Sequence, residues 1–328
     1  MTNSIHDDLK AFISEWESPS KDVLVHTSGS TGKPKPFNAL KRQMLNSARL
    51  TCDFLNLRRG DTALLCMPLK YIAGKMVVVR SLERGLKLIV VEPSSQPLKD
   101  VETPITFAAM TPMQVYSTLQ DETQRQRLMN VRELIIGGGA VDEALAEELR
   151  TFPNRVWSTY GMTETLSHIA MRRINGDEAS EWYTPLDNVD ISLSADNTLC
   201  INAPLVCNEM LVTNDIAVIN DKGEFRIIGR RDNVINSGGI KIQIEEMEAL
   251  LKPHFAHPFV VTSAPDEKFG EIVVMISEES DTDRIAEVCR NILPTHWQPK
   301  RYICHAVPLT QTNKPDRATA KKIASDNQ

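Results

Sequence analysis

The chain has 328 residues, 41% hydrophobic and 24% charged, enough for two or more domains with a substantial core. Its net charge of −6 argues against a nucleic-acid protein, which needs a broad cationic excess, and no apolar run reaches the length of a membrane span. The six cysteines lie far apart with no C-x-x-C pair, so they read as reduced thiols of a cytoplasmic protein; Met1–Asp8 has neither the basic start nor the apolar core of a secretory signal. His254 and His257 have ligand spacing but no nearby Cys or carboxylate partner, and read as surface histidines.

In chain order, Asp7–Trp16 carries apolar positions at helical spacing, and Val23–Val25 reads as a strand entering a turn. The turn is crowded with hydroxyls, glycines and lysines: Thr27, Ser28, Gly29, Ser30, Thr31, Gly32 and Lys33, then Pro34 and Lys35. Glycines let successive N–H groups face one concavity, hydroxyls add rotatable donors, and the lysines add charge, so the loop suits a polyanion such as a nucleotide triphosphate. It is not a Walker A loop, because only two residues separate Gly29 from Gly32 and Pro34 follows Lys33. Ala39–Leu57 is expected as a long helix, Thr62–Met67 as a strand, Tyr71–Leu82 as a helix ended by Gly85, and Leu86–Val91 as a strand. Then come strand Ile105–Met110, helix Met113–Met129, strand Glu133–Ile136, helix Asp142–Arg150 and strand Arg155–Ser158. This alternation predicts an α/β fold with a mostly parallel sheet and crossover helices. Ligands of such sheets gather at the carboxyl ends of strands, where the Thr27–Lys35 loop, Gly137-Gly138-Gly139 and Thr159-Tyr160-Gly161 all fall.

After about Glu181 the texture changes to short strands at Ile191–Leu193, Thr198–Asn202, Ile216–Asn220 and Phe225–Ile228, a small β-rich subdomain. Gly229-Arg230-Arg231-Asp232 marks the main boundary, giving domains 1–229 and 230–328. The second is a compact α+β unit. It holds the turn Ser237-Gly238-Gly239, a helix at Ile244–Leu251, strands at Phe259–Ser263 and Glu271–Ser277, a helix at Asp283–Leu293 and a strand at Tyr302–Val307. Pro308–Arg317 is polar and loop-like.

Several strings together resemble the adenylate-forming superfamily of acyl-CoA synthetases, luciferases and peptide-synthetase adenylation domains. They are Thr27–Lys35, Gly137–Ala140, Thr159–Thr165, Thr213–Asp215, Gly229–Asp232, Ser237–Lys241 and Pro308–Lys314, in family order. The resemblance implies that this chain uses ATP, Mg²⁺ and CoA. It implies that Thr27–Lys33 holds the phosphates and that Gly138, Gly139 and Ala140 lie against adenine. Thr159, Tyr160 and Gly161 then face the nucleotide, with Tyr160 packed on adenine; Thr163 contacts the α-phosphate, and Glu164 holds Mg²⁺. Asp215 and Arg230 take the ribose, and Asp232 is the hinge about which a mobile C-terminal domain turns. Ser237, Gly238, Gly239 and Lys241 line the channel of the thiol acceptor, and Lys314 is the catalytic lysine of the first step. Asn313 stands where the family has Gly; Asn tolerates positive φ better than most residues.

Only 26 residues precede Thr27, so the chain resembles a shortened member without most of the first lobe. A homodimer is one way to cover the sheet face that lobe usually covers. Met67–Gly74, with Tyr71 where many acyl-CoA ligases carry a His, and Thr165–Ala170 most resemble the o-succinylbenzoate–CoA ligases of menaquinone synthesis. Their acid has a spare carboxylate, for which Tyr71, Lys75 and His168 are candidate contacts, with Arg80 and Arg172 as further cations. Two other readings stay open. One is a different adenylating enzyme, an aryl- or fatty-acyl-CoA ligase or a carrier-loading domain. The other is a nucleotide-binding protein without ligase activity.

Overall fold

The computed structural model describes residues 4–26, 36–310 and 315–326. The Thr27–Lys33 loop, Asn313 and Lys314 lie outside the described residues. The chain divides into two compact units, one of Met1–Ser192, Cys200–Leu211 and Ile219–Arg226, the other of Leu193–Leu199, Val212–Val218 and Ile227–Gln328.

The first unit opens with α1 (Ile5–Glu17), whose N-cap Ser4 accepts the Asp7 N–H while Asp7 and Asp8 suit the positive end of the helix dipole. Strands β1 (Asp22–His26) and β2 (Pro36–Leu40) form an antiparallel hairpin, Val23 facing Ala39 and Val25 facing Phe37. The expected helix over Ala39–Leu57 therefore starts later, as α2 (Lys41–Phe54). Residues 36–40 are drawn into the hairpin, which buries Val23, Val25 and Ala39 together.

Next come β3 (Thr62–Leu65), α3 (Ile72–Arg84) and β4 (Lys87–Val90), with Gly85 capping α3 at φ 68°. Strand β5 (Phe107–Met110) is followed by α4 (Pro112–Leu119) and α5 (Glu122–Met129), where one helix was expected. The break lies at Asp121, which leaves helical geometry and accepts the Gln124 N–H as a new N-cap. The unit continues with β6 (Glu133–Ile136), α6 (Glu143–Leu149), β7 (Arg155–Gly161), β8 (His168–Arg173) and β9 (Thr184–Pro185). The seven strands lie in the order β4-β3-β5-β6-β7-β8-β9; the first five run parallel, and β8 and β9 are antiparallel additions. All four residues of β5 and of β6 are buried, as both faces of a parallel sheet require. Strand β8 was not expected from the sequence.

A four-stranded sheet follows, in the order β10 (Asp190–Leu193), β11 (Thr198–Asn202), β12 (Leu211–Ile219), β13 (Phe225–Arg230). Its third strand starts well before the Ile216 expected, so Thr213, Asn214 and Asp215 sit within a strand.

The second unit carries β14 (Val234–Ser237), β15 (Ile240–Gln243), α7 (Ile244–Leu251), β16 (Phe259–Asp266), β17 (Gly270–Ser277), α8 (Thr282–Ile292), β18 (Arg301–Cys304) and α9 (Arg317–Asp326). The sheet runs β15-β14-β17-β16, with β18 parallel to β17. Alternate residues of β16 and β17 serve two cores. Val261, Val273 and Met275 pack with Met247 and Leu251 of α7 and Ile285 and Cys289 of α8. Val260, Ala264, Val274 and Ile276 pack with Ala320 and Ala324 of α9. That second core explains why β17 reads as an unbroken apolar run; its helix starts at Arg317, where the loop-like stretch Pro308–Arg317 ends.

Candidate functional site

In the first unit the candidate residues collect at the carboxyl ends of β6 and β7. The Gly137–Ala140 turn leaves β6 with Gly138 at φ 76°, a conformation glycine adopts without penalty. A Cβ on Gly137 would stand 2.5 Å from the Thr159 hydroxyl, which donates to the Ile136 carbonyl at 3.2 Å. Thr159, Tyr160 and Gly161 end β7. The Tyr160 ring packs edge-on to Phe225, centroids 5.1 Å apart, with Tyr183 at 6.0 Å. At Gly161 the β7–β8 register shifts, and a Cβ there would meet the Ser167 carbonyl at 2.4 Å, so only glycine lets the two backbones pass.

The segment from Met162 to His168 is a tight loop. The Thr165 hydroxyl accepts the Met162 N–H at 3.1 Å and lies 2.7 Å from the Ser167 carbonyl. The Thr163 carbonyl accepts the Leu166 N–H, and Leu166 takes a left-handed φ of 65°, a strained conformation for a branched side chain. Thr163 is buried, whereas Glu164 is exposed. Among the described residues Glu164 makes no ion pair, so its oxygens are available to a hard cation. No cluster of three or more His, Cys, Asp or Glu among the described residues is arranged to hold a metal. A single carboxylate completed by phosphate oxygens and water suits Mg²⁺.

Deeper in this unit lies a cluster that no local motif announces. Arg80 of α3 is 2% exposed, and its Nη2 donates to the Ser167 hydroxyl at 2.6 Å. Among the described residues its Nε has no hydrogen-bond partner and no carboxylate pairs with it. Burial pushes the guanidinium down to about 10, so it remains charged at neutral pH. His168 of β8 is buried beside it. Its Nε2 lies 3.0 Å from the Thr51 hydroxyl and its Nδ1 3.3 Å from that of Ser167. Burial first, and the Arg80 charge second, hold the imidazole well below its ordinary range, hence neutral.

Of the other candidates for an acid, Lys75 is directed elsewhere. Its Nζ pairs with Glu15 at 3.2 Å, donates to the Leu24 carbonyl at 3.1 Å and lies over the Phe12 ring. Tyr71 is the N-cap residue of α3, its ring under the Lys70 ammonium at 4.9 Å. Arg172 donates to the Ser180 carbonyl and lies over Tyr183.

In the second unit Arg230 joins two carboxylates. Its Nη1 reaches Asp215 at 3.1 Å, and its Nε and Nη2 fork onto Asp232 at 2.9 and 2.8 Å. Thr213 supports Asp215 by accepting its N–H. The fork raises Arg230 and holds Asp232 below the usual carboxylate range. Ser237, Gly238, Gly239 and Lys241 form the exposed β14–β15 hairpin, with Gly238 and Gly239 at φ 59° and 84°. Leu309 bridges Pro315, the Asp316 N–H donates to the Pro308 carbonyl, and Arg317 forks onto Glu248 at 2.7 and 2.6 Å.

The AMP-binding enzyme family matches residues 12–215, more than half of the chain. This chain is an AMP-binding enzyme. Among relatives of this AMP-binding enzyme, the 2-succinylbenzoate–CoA ligase of Salmonella typhimurium is 27% identical over 320 residues, 91% of this chain and 68% of that one. The enzyme of the same name from Bacillus subtilis is 26% identical over 330 residues, 89% and 67% of the two chains. This AMP-binding enzyme thus spans about two thirds of their length. Among solved structures, it is similar to an acyl-CoA synthetase (AMP-forming)/AMP-acid ligase II-like protein from Dyadobacter fermentans. Identity there is 33% and the TM-score 0.68, and the match covers 99% of this chain and 96% of that one. It shares its fold with the Bacillus subtilis o-succinylbenzoate CoA synthetase bound to the acyl-adenylate OSB-AMP, with 23% identity, a TM-score of 0.76, and coverage of 92% and 70%.

Proposed function

We propose that this AMP-binding enzyme is an ATP-dependent acid–CoA ligase, and that its acid is o-succinylbenzoate, so that it serves menaquinone synthesis in the cytoplasm. In the first step a carboxylate oxygen of the acid attacks the α-phosphorus of ATP and the bond to pyrophosphate breaks, leaving an acyl-adenylate. In the second, the CoA thiol loses its proton and attacks the acyl carbon, a thioester forms and AMP leaves. Such displacements need positioning and charge neutralisation more than covalent help.

The residues divide the work accordingly. Thr27–Lys33 and Thr163 hold phosphates, Tyr160 and the Gly138–Ala140 turn flank adenine, and Asp215 and Arg230 take the ribose. Glu164 holds Mg²⁺, which when bound neutralises phosphate charge. Lys314 stabilises the charge that develops in adenylation. Asp232 is the hinge between the two steps, and Ser237–Lys241 lines the path of the thiol.

The observation that carries the choice of acid is Arg80. A buried cation without a counter-ion is costly, and an acid with a second carboxylate supplies the missing charge. Neutral His168 adds no competing cation. The test is product identification. Incubation with o-succinylbenzoate, MgATP and CoA should yield one o-succinylbenzoyl-CoA per AMP by mass spectrometry. AMP release without a thioester, or no reaction with this acid while another is converted, would overturn the assignment.

A further inference from the structure

Proton counting fixes the direction of every hydrogen bond around His168. The Thr51 hydroxyl has one proton, and it goes to the Ser47 carbonyl at 3.1 Å, a group that can only accept. Thr51 therefore accepts from His168 Nε2 at 3.0 Å, which must carry the imidazole proton. In a neutral ring Nδ1 then has a free lone pair, and among the described residues the proton facing it is that of the Ser167 hydroxyl, whose Oγ lies 3.3 Å away. With its own proton so directed, Ser167 turns its lone pairs to Arg80 Nη2, at 2.6 Å. All the protons point one way, from Arg80 through Ser167 and His168 to Thr51 and the α2 backbone. Both ring nitrogens are occupied, so His168 has none left for a substrate.

We infer that Thr51, His168 and Ser167 form a one-way relay that positions the Arg80 guanidinium, making Thr51 and His168 specificity-determining positioning residues for a second carboxylate on the acid. The inference rests on the reading of Arg80 as the anchor of that carboxylate. It reassigns His168 from substrate contact to support. The side chains come from α2, α3 and the start of β8, so the relay also ties the loop carrying Thr163 and Glu164 to two helices.

The test compares two acids in acid-dependent pyrophosphate exchange: o-succinylbenzoate, and 4-oxo-4-phenylbutanoate, which lacks the ring carboxylate. Arg80→Met is the reference variant, Thr51→Val removes the terminal acceptor at nearly constant volume, and Thr51→Ser restores it. Leaving a buried N–H unmatched should raise KM for o-succinylbenzoate about 10-fold in Thr51→Val, with kcat little changed. KM for the monocarboxylic acid should stay within about 2-fold, and Thr51→Ser should recover the wild-type value. Equal losses on both acids in Thr51→Val mean a merely structural threonine and overturn the relay. Discrimination by Arg80→Met with none by Thr51→Val overturns it equally. If Arg80→Met itself treats both acids alike, the reading of Arg80 falls first and the relay falls with it.

Discussion

Arg230 lays its guanidinium fork along the Asp232 carboxylate, Nε to Oδ1 at 2.9 Å and Nη2 to Oδ2 at 2.8 Å. The proposed ribose contact and the proposed hinge are thereby one unit, two residues apart. Asp232→Ala should release the fork and affect the two half-reactions unequally. Pyrophosphate exchange should fall only a few-fold, and thioester formation from isolated acyl-adenylate about 10-fold or more. Equal loss in both assays would remove Asp232 from the hinge.

The same pair sets a pH dependence. Asp232 is held below its ordinary value of 3.8 by the fork, so the contact contributes fully above the ordinary range and fades as pH falls through the lowered value. Both side chains are more than a third exposed, so the contribution is small. The melting-temperature difference between wild type and Asp232→Asn should be flat from pH 8 to about 5 and shrink below about pH 4.

His168 gives the larger effect. Its neutral form is favoured in the fold by burial and by Arg80 on α3; the Cys52 thiol on α2, itself pushed up to about 11, adds no charge at neutral pH. Stability is complete above the unfolded histidine value and is lost as pH falls from about 6.5 toward the lowered folded value. The slope is about 1.4 kcal/mol per pH unit. Urea unfolding of His168→Gln should lack this component; an unchanged slope would mean that the ring is protonated in the fold.

Lys75 is predicted to matter for stability and not for the acid. Lys75→Met keeps the stem and loses the Glu15 pair and the Leu24 contact, costing about 1 kcal/mol while KM for o-succinylbenzoate stays within about 2-fold. A selective rise in that KM would return Lys75 to the substrate.

Sequence periodicity was most informative where one element buries one face. β6 and α7 occupy the ranges read from the sequence, and Gly137 punctuates the end of the strand. Strand β2 was missed because the hairpin's pairing outweighs the helical pattern that begins at Ala39. Helix α9 carries its own signal: Ala320, Ile323 and Ala324 repeat at helical spacing, and they form the face that packs on the sheet. The nucleotide motifs are contiguous strings and were legible as such. Of the Arg80 cluster, Arg80 and His168 were legible as candidates for the spare carboxylate, but their grouping with Thr51 and Ser167 was not, because these residues are far apart in sequence and only the fold brings them together.

The most direct measurement is exchange of labelled pyrophosphate into ATP with o-succinylbenzoate, benzoate or a medium-chain fatty acid, for wild type and Lys314→Ala. The account predicts exchange with o-succinylbenzoate alone, reduced about 10²- to 10³-fold in the variant, as for loss of a group that stabilises developing charge. No exchange with any acid by a protein that still binds ATP would contradict it.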